Sequence, residues 1–108
     1  MMTLRVTTTK PRRCGSVSGY PLHSGTVTLR GATAEQVALA DAAARTVEGA
    51  AVSVDASLSR WTVRQKPDPD ARGGYRSWGG ADHDCVATLT CYVANAVREA
   101  LGLPTLDD

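Results

Sequence analysis

Apolar and polar positions alternate with a period of two at both ends of the first thirty residues. In "TLRVTTT" (3–9), Leu4 and Val6 fall on one face and Arg5 and Thr7 on the other. "GTVTLRG" repeats the pattern, with Val27 and Leu29 opposite Thr26, Thr28 and Arg30. Such alternation predicts half-buried strands. Residues 10–25 carry Pro11, Gly15, Gly19, Pro21 and Gly25 and read as a loop. The period then changes. "ATAEQVALADAAARTVEGA" predicts a helix with a Thr33/Gln36 capping box, Gly49 at its C-terminal cap, and a stripe of Val37, Ala40, Ala44 and Val47.

Two further strands, "AAVSVDAS" and "SRWTVRQK", turn between Asp55 and Ser59. "PDPDARGG" reads as a turn, and "YRSW" as a short fifth strand pairing back on the fourth. The last helix runs from Asp82 to about Leu101, ending at Gly102 and Pro104. Its apolar side holds Val86, Leu89, Val93, Ala96, Val97 and Ala100. The expected fold is α+β, a β-β-α-β-β-(β)-α two-layer sandwich whose antiparallel sheet of four or five strands carries both helices on one face. "GATAEQVA" and "GADHDCVA", beginning at Gly31 and Gly80, share enough to suggest a repeated ββα unit.

The 108 residues fit a single α+β domain, 1–108, large enough to fold without metal or disulfide staples. A hydrophobic share of 43% and a charged share of 21% belong to globular proteins. No apolar run reaches the roughly 20 residues of a membrane helix, so no membrane partner is expected. The start, "MMTLRVTTTK", has no apolar signal core. With three cysteines (Cys14, Cys85, Cys91), any disulfide scheme leaves one unpaired, and reduced thiols in a cytoplasm are the expectation. Phe and Ile are absent, and Lys10 and Lys66 are the only lysines among 12 basic residues. That composition fits a GC-rich bacterial or phage genome.

Charge sharpens the picture. A formal net charge of +1 hides a segregation in which the strand segments are basic and the helix segments acidic. By parity Arg5, Arg30, Arg60, Arg64 and Lys66 share the sheet face that points away from the helices, with Thr7, Thr26, Thr28 and Thr62 between them. Arg72, Tyr75, Arg76 and Trp78 form the one aromatic–basic cluster. These nine residues are the expected partner-binding set. A one-signed surface steers association with an opposite charge, so an acidic protein partner is expected, with nucleic acid as the alternative. From residue 33 the α-β-β-β-α order resembles double-stranded-RNA-binding domains. Their basic start to the last helix is replaced here by "ADHDC", the wrong sign for phosphate. Self-association, if any, would run through an exposed edge strand, "TLRVTTT" or "YRSW", giving a homodimer.

"HDCVATLTCYVANAVREALGLP" resembles the cysteine helix of papain-like hydrolases, in which an Asp-Cys pair opens a helix with a glycine and proline at its exit. The resemblance implies Cys85 as nucleophile; no histidine follows it here, so a base would have to come from upstream, where His23 and His83 are the candidates. It covers about twenty residues, and the family's Cys-Ser-Gly continuation is Cys85-Val86-Ala87 here. Asp82 and Asp84 flank the thiol and oppose its ionisation. The plainer expectation is a capped helix with a structural Cys85 and no catalysis. No C-x-x-C or H-x3-H pair starts a metal site, and no phosphate-binding glycine loop suggests a cofactor.

Overall fold

The computed structural model describes residues 3–17, 20–66 and 83–106. Its element order is β1 (Arg5–Val17), β2 (Tyr20–Arg30), α1 (Ala34–Ala44), β3 (Ala50–Asp55), β4 (Arg60–Gln65) and α2 (His83–Ala100), with a 3-10 turn at Ala56–Leu58. The strands form one antiparallel sheet in the order β1-β2-β4-β3. The mixed α+β architecture and the order of elements agree with the sequence reading. The strand "YRSW", the turn before it and the Asp82 cap lie outside the described residues.

Some expectations fail. Residues 10–25 are largely strand, because β1 runs on to Val17 and β2 begins at Tyr20. Pro11 is tolerated because β1 is an edge strand, where a missing N–H need not break a ladder. A β-bulge interrupts the pairing between Thr9 and Arg12, and a second irregularity lies between Arg13 and Gly15. The helix expected to end at Gly49 stops earlier, at Ala44, with Arg45 as its C-cap. Gly49 instead takes φ +85° in the turn leading into β3. The capping box forms as read, with Gln36 N–H donating to Thr33 Oγ1 at 3.2 Å and Thr33 N–H to Gln36 Oε1 at 2.9 Å.

Strand alternation builds the core. Val6, Val27, Leu29, Trp61 and Val63 all point inward and are buried, joined by Val86, Leu89, Val93, Ala94 and Val97 of α2. Ala40 and Ala44 bury the inner stripe of α1, while Val37 and Val47 pack at its margin. Ala100 is exposed, contrary to expectation, and Thr90 and Ala94 are buried in the α2 stripe. Gly25 explains Thr90. A Cβ at Gly25 would sit 2.2 Å from Thr90 Oγ1, so only glycine lets α2 lie this close to β2. Thr90 in turn donates its hydroxyl to the Val86 carbonyl at 2.7 Å, so its buried oxygen is satisfied. At the other end Gly102, with φ +74°, closes α2 through Leu103 N–H to Arg98 O at 2.8 Å and Gly102 N–H to Glu99 O at 3.1 Å.

The sheet order is unchanged when the two ββα halves are exchanged, the symmetry a repeated unit would produce. Side chains follow the same exchange. Arg45, at the end of α1, sends Nη1 to within 3.5 Å of the Val52 carbonyl on edge strand β3. Arg98, in the last turn of α2, donates from Nη2 to the Val6 carbonyl on edge strand β1 at 2.8 Å. Each edge thus has one outward carbonyl closed by a guanidinium from the opposite half.

Candidate functional site

The face of the sheet turned away from both helices carries the site. Register gives its layout. Arg5 lies opposite Arg30, and Thr7 opposite Thr28, which faces Arg60 and then Asp55 across the sheet. The next row holds Thr9, Thr26, Thr62 and Ser53. Arg5, Arg30, Arg60 and Arg64 are all exposed, as parity requires. The only acidic residue in the four strands is Asp55.

Asp55 answers Arg60 weakly. The two charged groups are 3.8 Å apart and nearly half-exposed, a geometry worth little in water. The Ser57 hydroxyl donates to Asp55 Oδ1 at 2.7 Å and is the main reason the carboxyl titrates below its ordinary range, with Arg60 a smaller contributor. Arg60 therefore keeps most of its positive potential for the open face.

A further arginine, not expected from sequence, joins the face. The bulge after Thr9 adds one residue to β1, so Arg12 and not Pro11 stands opposite Ser24. Ser24 shares the outward parity of Thr26, and Arg12 is thereby turned outward. Thr9, Arg12, Ser24, Thr26 and Arg60 line a half-open pocket of about 250 Å³. Its floor is the hydrogen-bonded pair of hydroxyls from Thr9 and Thr26. Simple alternation carried on from Thr9 would have turned Arg12 toward the helices, and only the bulge reverses it.

The remaining expected residues divide. Arg5 and Arg30 border a shallow depression with Thr3 and Gly31 at one end of the face. Arg64 lies opposite Ala51 toward the other end. Lys66 is exposed just past β4, beside Arg45, Ala50, Ala51 and Val52, and so belongs to the β3 margin and not to the pocket. Arg72, Tyr75, Arg76 and Trp78 lie outside the described residues.

The residues of the hydrolase alternative sit elsewhere, at the start of α2. His23 of β2 and His83 of α2 meet edge to face with ring centroids 5.8 Å apart, and His83 Nδ1 lies 3.2 Å from Asp84 Oδ1. Cys85 is half-buried and packs against the core cluster, whereas Cys91 and Cys14 are exposed free thiols. Among the described residues no three His, Cys, Asp or Glu side chains converge as a metal site would need. No helix among the described residues is long and apolar enough to cross a membrane.

The helix layer bears the opposite charge, with Glu35, Asp41, Glu48, Asp84 and Glu99 against Arg45 and Arg98. Comparison with protein-family models, with curated proteins and with solved structures finds no match for this chain.

Proposed function

We propose that this domain is a small non-enzymatic binding module, a regulator or inhibitor, that docks an acidic protein partner through the Arg/Thr face of its sheet. The supporting observation is the separation of charge between layers. Arg5, Arg12, Arg30, Arg60 and Arg64 lie on strands whose only acid is Asp55, while the other acids among the described residues lie in the helices or, for Glu48, in the turn after α1. A face of one sign raises encounter rates with a complementary surface and repels others. Threonines between the arginines keep that face polar and flat, suited to a macromolecular surface. No disulfide joins Cys14, Cys85 or Cys91 among the described residues, which is compatible with a reducing bacterial or phage-infected cytoplasm.

Nucleic acid is the second reading, and the basic β1–β2 hairpin with Lys10, Arg12 and Arg13 favours it. Against it, the outward positions from Arg5 to Arg12 of β1, from Ser24 to Arg30 of β2 and along β3 and β4 hold Thr, Ser, Ala, Arg and Asp55, with no aromatic row on which bases could stack. Affinity capture from lysate with and without nuclease separates the two. Retention of the captured protein after nuclease, and its loss on Arg5→Glu/Arg30→Glu, support the protein-docking reading. Capture that vanishes with nuclease, or a steep fall of affinity with salt on a defined duplex, overturns it.

A further inference from the structure

We propose that the pocket formed by Thr9, Arg12, Ser24, Thr26 and Arg60 is a specific site for a phosphomonoester dianion, the anchor by which the docking face engages its partner. This rests on the docking reading above and narrows it from a general acidic surface to one chemical group.

Local geometry selects the ligand. Arg12 and Arg60 reach the pocket from strands on opposite sides of β2, so two guanidinium groups border one small space. Guanidinium forks match the oxygens of phosphate two at a time, which ammonium groups do not. Arg12 has no ion-pair partner among the described residues, and Arg60 has only the long contact to Asp55. The pocket therefore presents two guanidinium charges, of which the one on Arg60 is offset in part by Asp55. A carboxylate or a phosphodiester brings one negative charge, whereas a phosphomonoester near neutrality brings about −1.5 to −2 and three strong acceptor oxygens.

The floor supplies the remaining donors. Of the two hydroxyls shared between Thr9 and Thr26, one must donate to the other, leaving a single O–H for a ligand. Ser24 adds a second hydroxyl at the pocket wall. Among the described residues no carboxylate lines the pocket. At about 250 Å³ it lies below the roughly 300–1,000 Å³ of pockets that hold drug-sized molecules, and suits one compact anion or a phosphorylated side chain. The bulge that turns Arg12 outward has a purpose in this reading, since bulges recur where a side chain must be re-aimed at a site.

The test is a heteronuclear magnetic resonance titration of the whole chain with O-phosphoserine, inorganic phosphate, sulfate, dimethyl phosphate and acetate in separate arms. Saturable shifts confined to the neighbourhood of Thr9, Arg12, Ser24, Thr26 and Arg60 are expected with phosphoserine, phosphate and sulfate. Phosphoserine should bind several-fold more weakly once the pH falls below about 6, where its second charge is lost, whereas sulfate should change little. Phosphoserine binding tighter than inorganic phosphate identifies a phosphorylated chain as the source, and the reverse identifies the free ion. Arg12→Gln and Arg60→Gln, with otherwise unchanged spectra, should each lower affinity by about tenfold, and Arg12→Lys should recover only part of it. Equal binding of dimethyl phosphate or acetate, or shifts spread evenly over Arg5, Arg30 and Arg64, would overturn the assignment. If no anion binds yet charge reversal at Arg5 and Arg30 still abolishes capture, the pocket assignment fails and the docking face survives.

Discussion

Trp61 donates from its indole Nε1 to Asp41 Oδ1 across 2.9 Å, fastening α1 to the centre of the sheet. Trp61 is fully buried, and its ring supplies the largest apolar contact on the core face of β4. Asp41 also pairs with Arg45 one turn on, at 3.2 Å, so a single carboxylate joins the sheet, α1 and the arginine that reaches the Val52 edge. The indole N–H, followed by Arg45, holds the Asp41 carboxyl below its ordinary value of 3.8.

The sign of the resulting pH dependence follows from that direction. A carboxyl depressed in the folded state adds stability above its unfolded value and loses it as pH falls through the folded value. Stability from Asp41 should therefore be flat from neutrality to about pH 5 and decline progressively as pH falls through 3.8 and below. Asp41→Asn keeps an acceptor for Trp61 but not the charge. It should cost less than about 1 kcal/mol at neutral pH, because Asp41 is a third exposed, and should remove part of the acid decline. Urea midpoints measured across this range check it, and an identical acid limb in both proteins would refute the linkage.

Gly25 is expected to be far less tolerant than its half-buried neighbours Ser24 and Thr26. Gly25→Ala drives a methyl group into Thr90 Oγ1 and should cost about 1–3 kcal/mol by overpacking. Adding Thr90→Ala removes the obstructing hydroxyl and should recover much of that loss, a coupling visible in a double-mutant cycle of denaturation midpoints.

Strand parity was legible in the sequence because a buried face demands strict alternation. Val6, Val27, Leu29, Trp61 and Val63 announced their side, and Arg5, Arg30, Arg60 and Arg64 fell opposite. Arg12 was not legible. Proline and glycine between residues 10 and 25 suggested a loop, and the bulge that sets Arg12 outward leaves no periodic trace. The C-terminal end of α2 was written in Gly102 and Pro104, but the burial of Thr90 depends on a glycine 65 residues earlier in the chain. Contacts of that range have no local signature.

The paired arginines at the sheet edges predict a monomer that can be made sticky. Arg98→Ala uncovers the Val6 carbonyl and Arg45→Ala the Val52 carbonyl, leaving each edge freer to template another strand. Light scattering at rising concentration should show a constant monomer mass for the natural chain and association for the double variant. A natural chain that already dimerises would instead support pairing through β1.

Cys85 and Cys91 should behave in opposite ways. Cys85→Ser places a hydroxyl against the core and should cost about 1 kcal/mol, whereas Cys91→Ser should be silent. Alkylation by iodoacetamide should favour Cys91 at every pH. Preferential labelling of Cys85 near about pH 6 would mark an activated thiol and make His23 and His83 candidate bases.

The most direct measurement reverses charge at the middle of the docking face. Arg60→Glu/Arg64→Glu replaces two exposed guanidinium groups whose one ionic contact among the described residues is the long Arg60–Asp55 pair, so the thermal midpoint should move little. Capture of the partner from nuclease-treated lysate should be lost. Capture at the natural level by a well-folded Arg60→Glu/Arg64→Glu variant would contradict a function carried by this face.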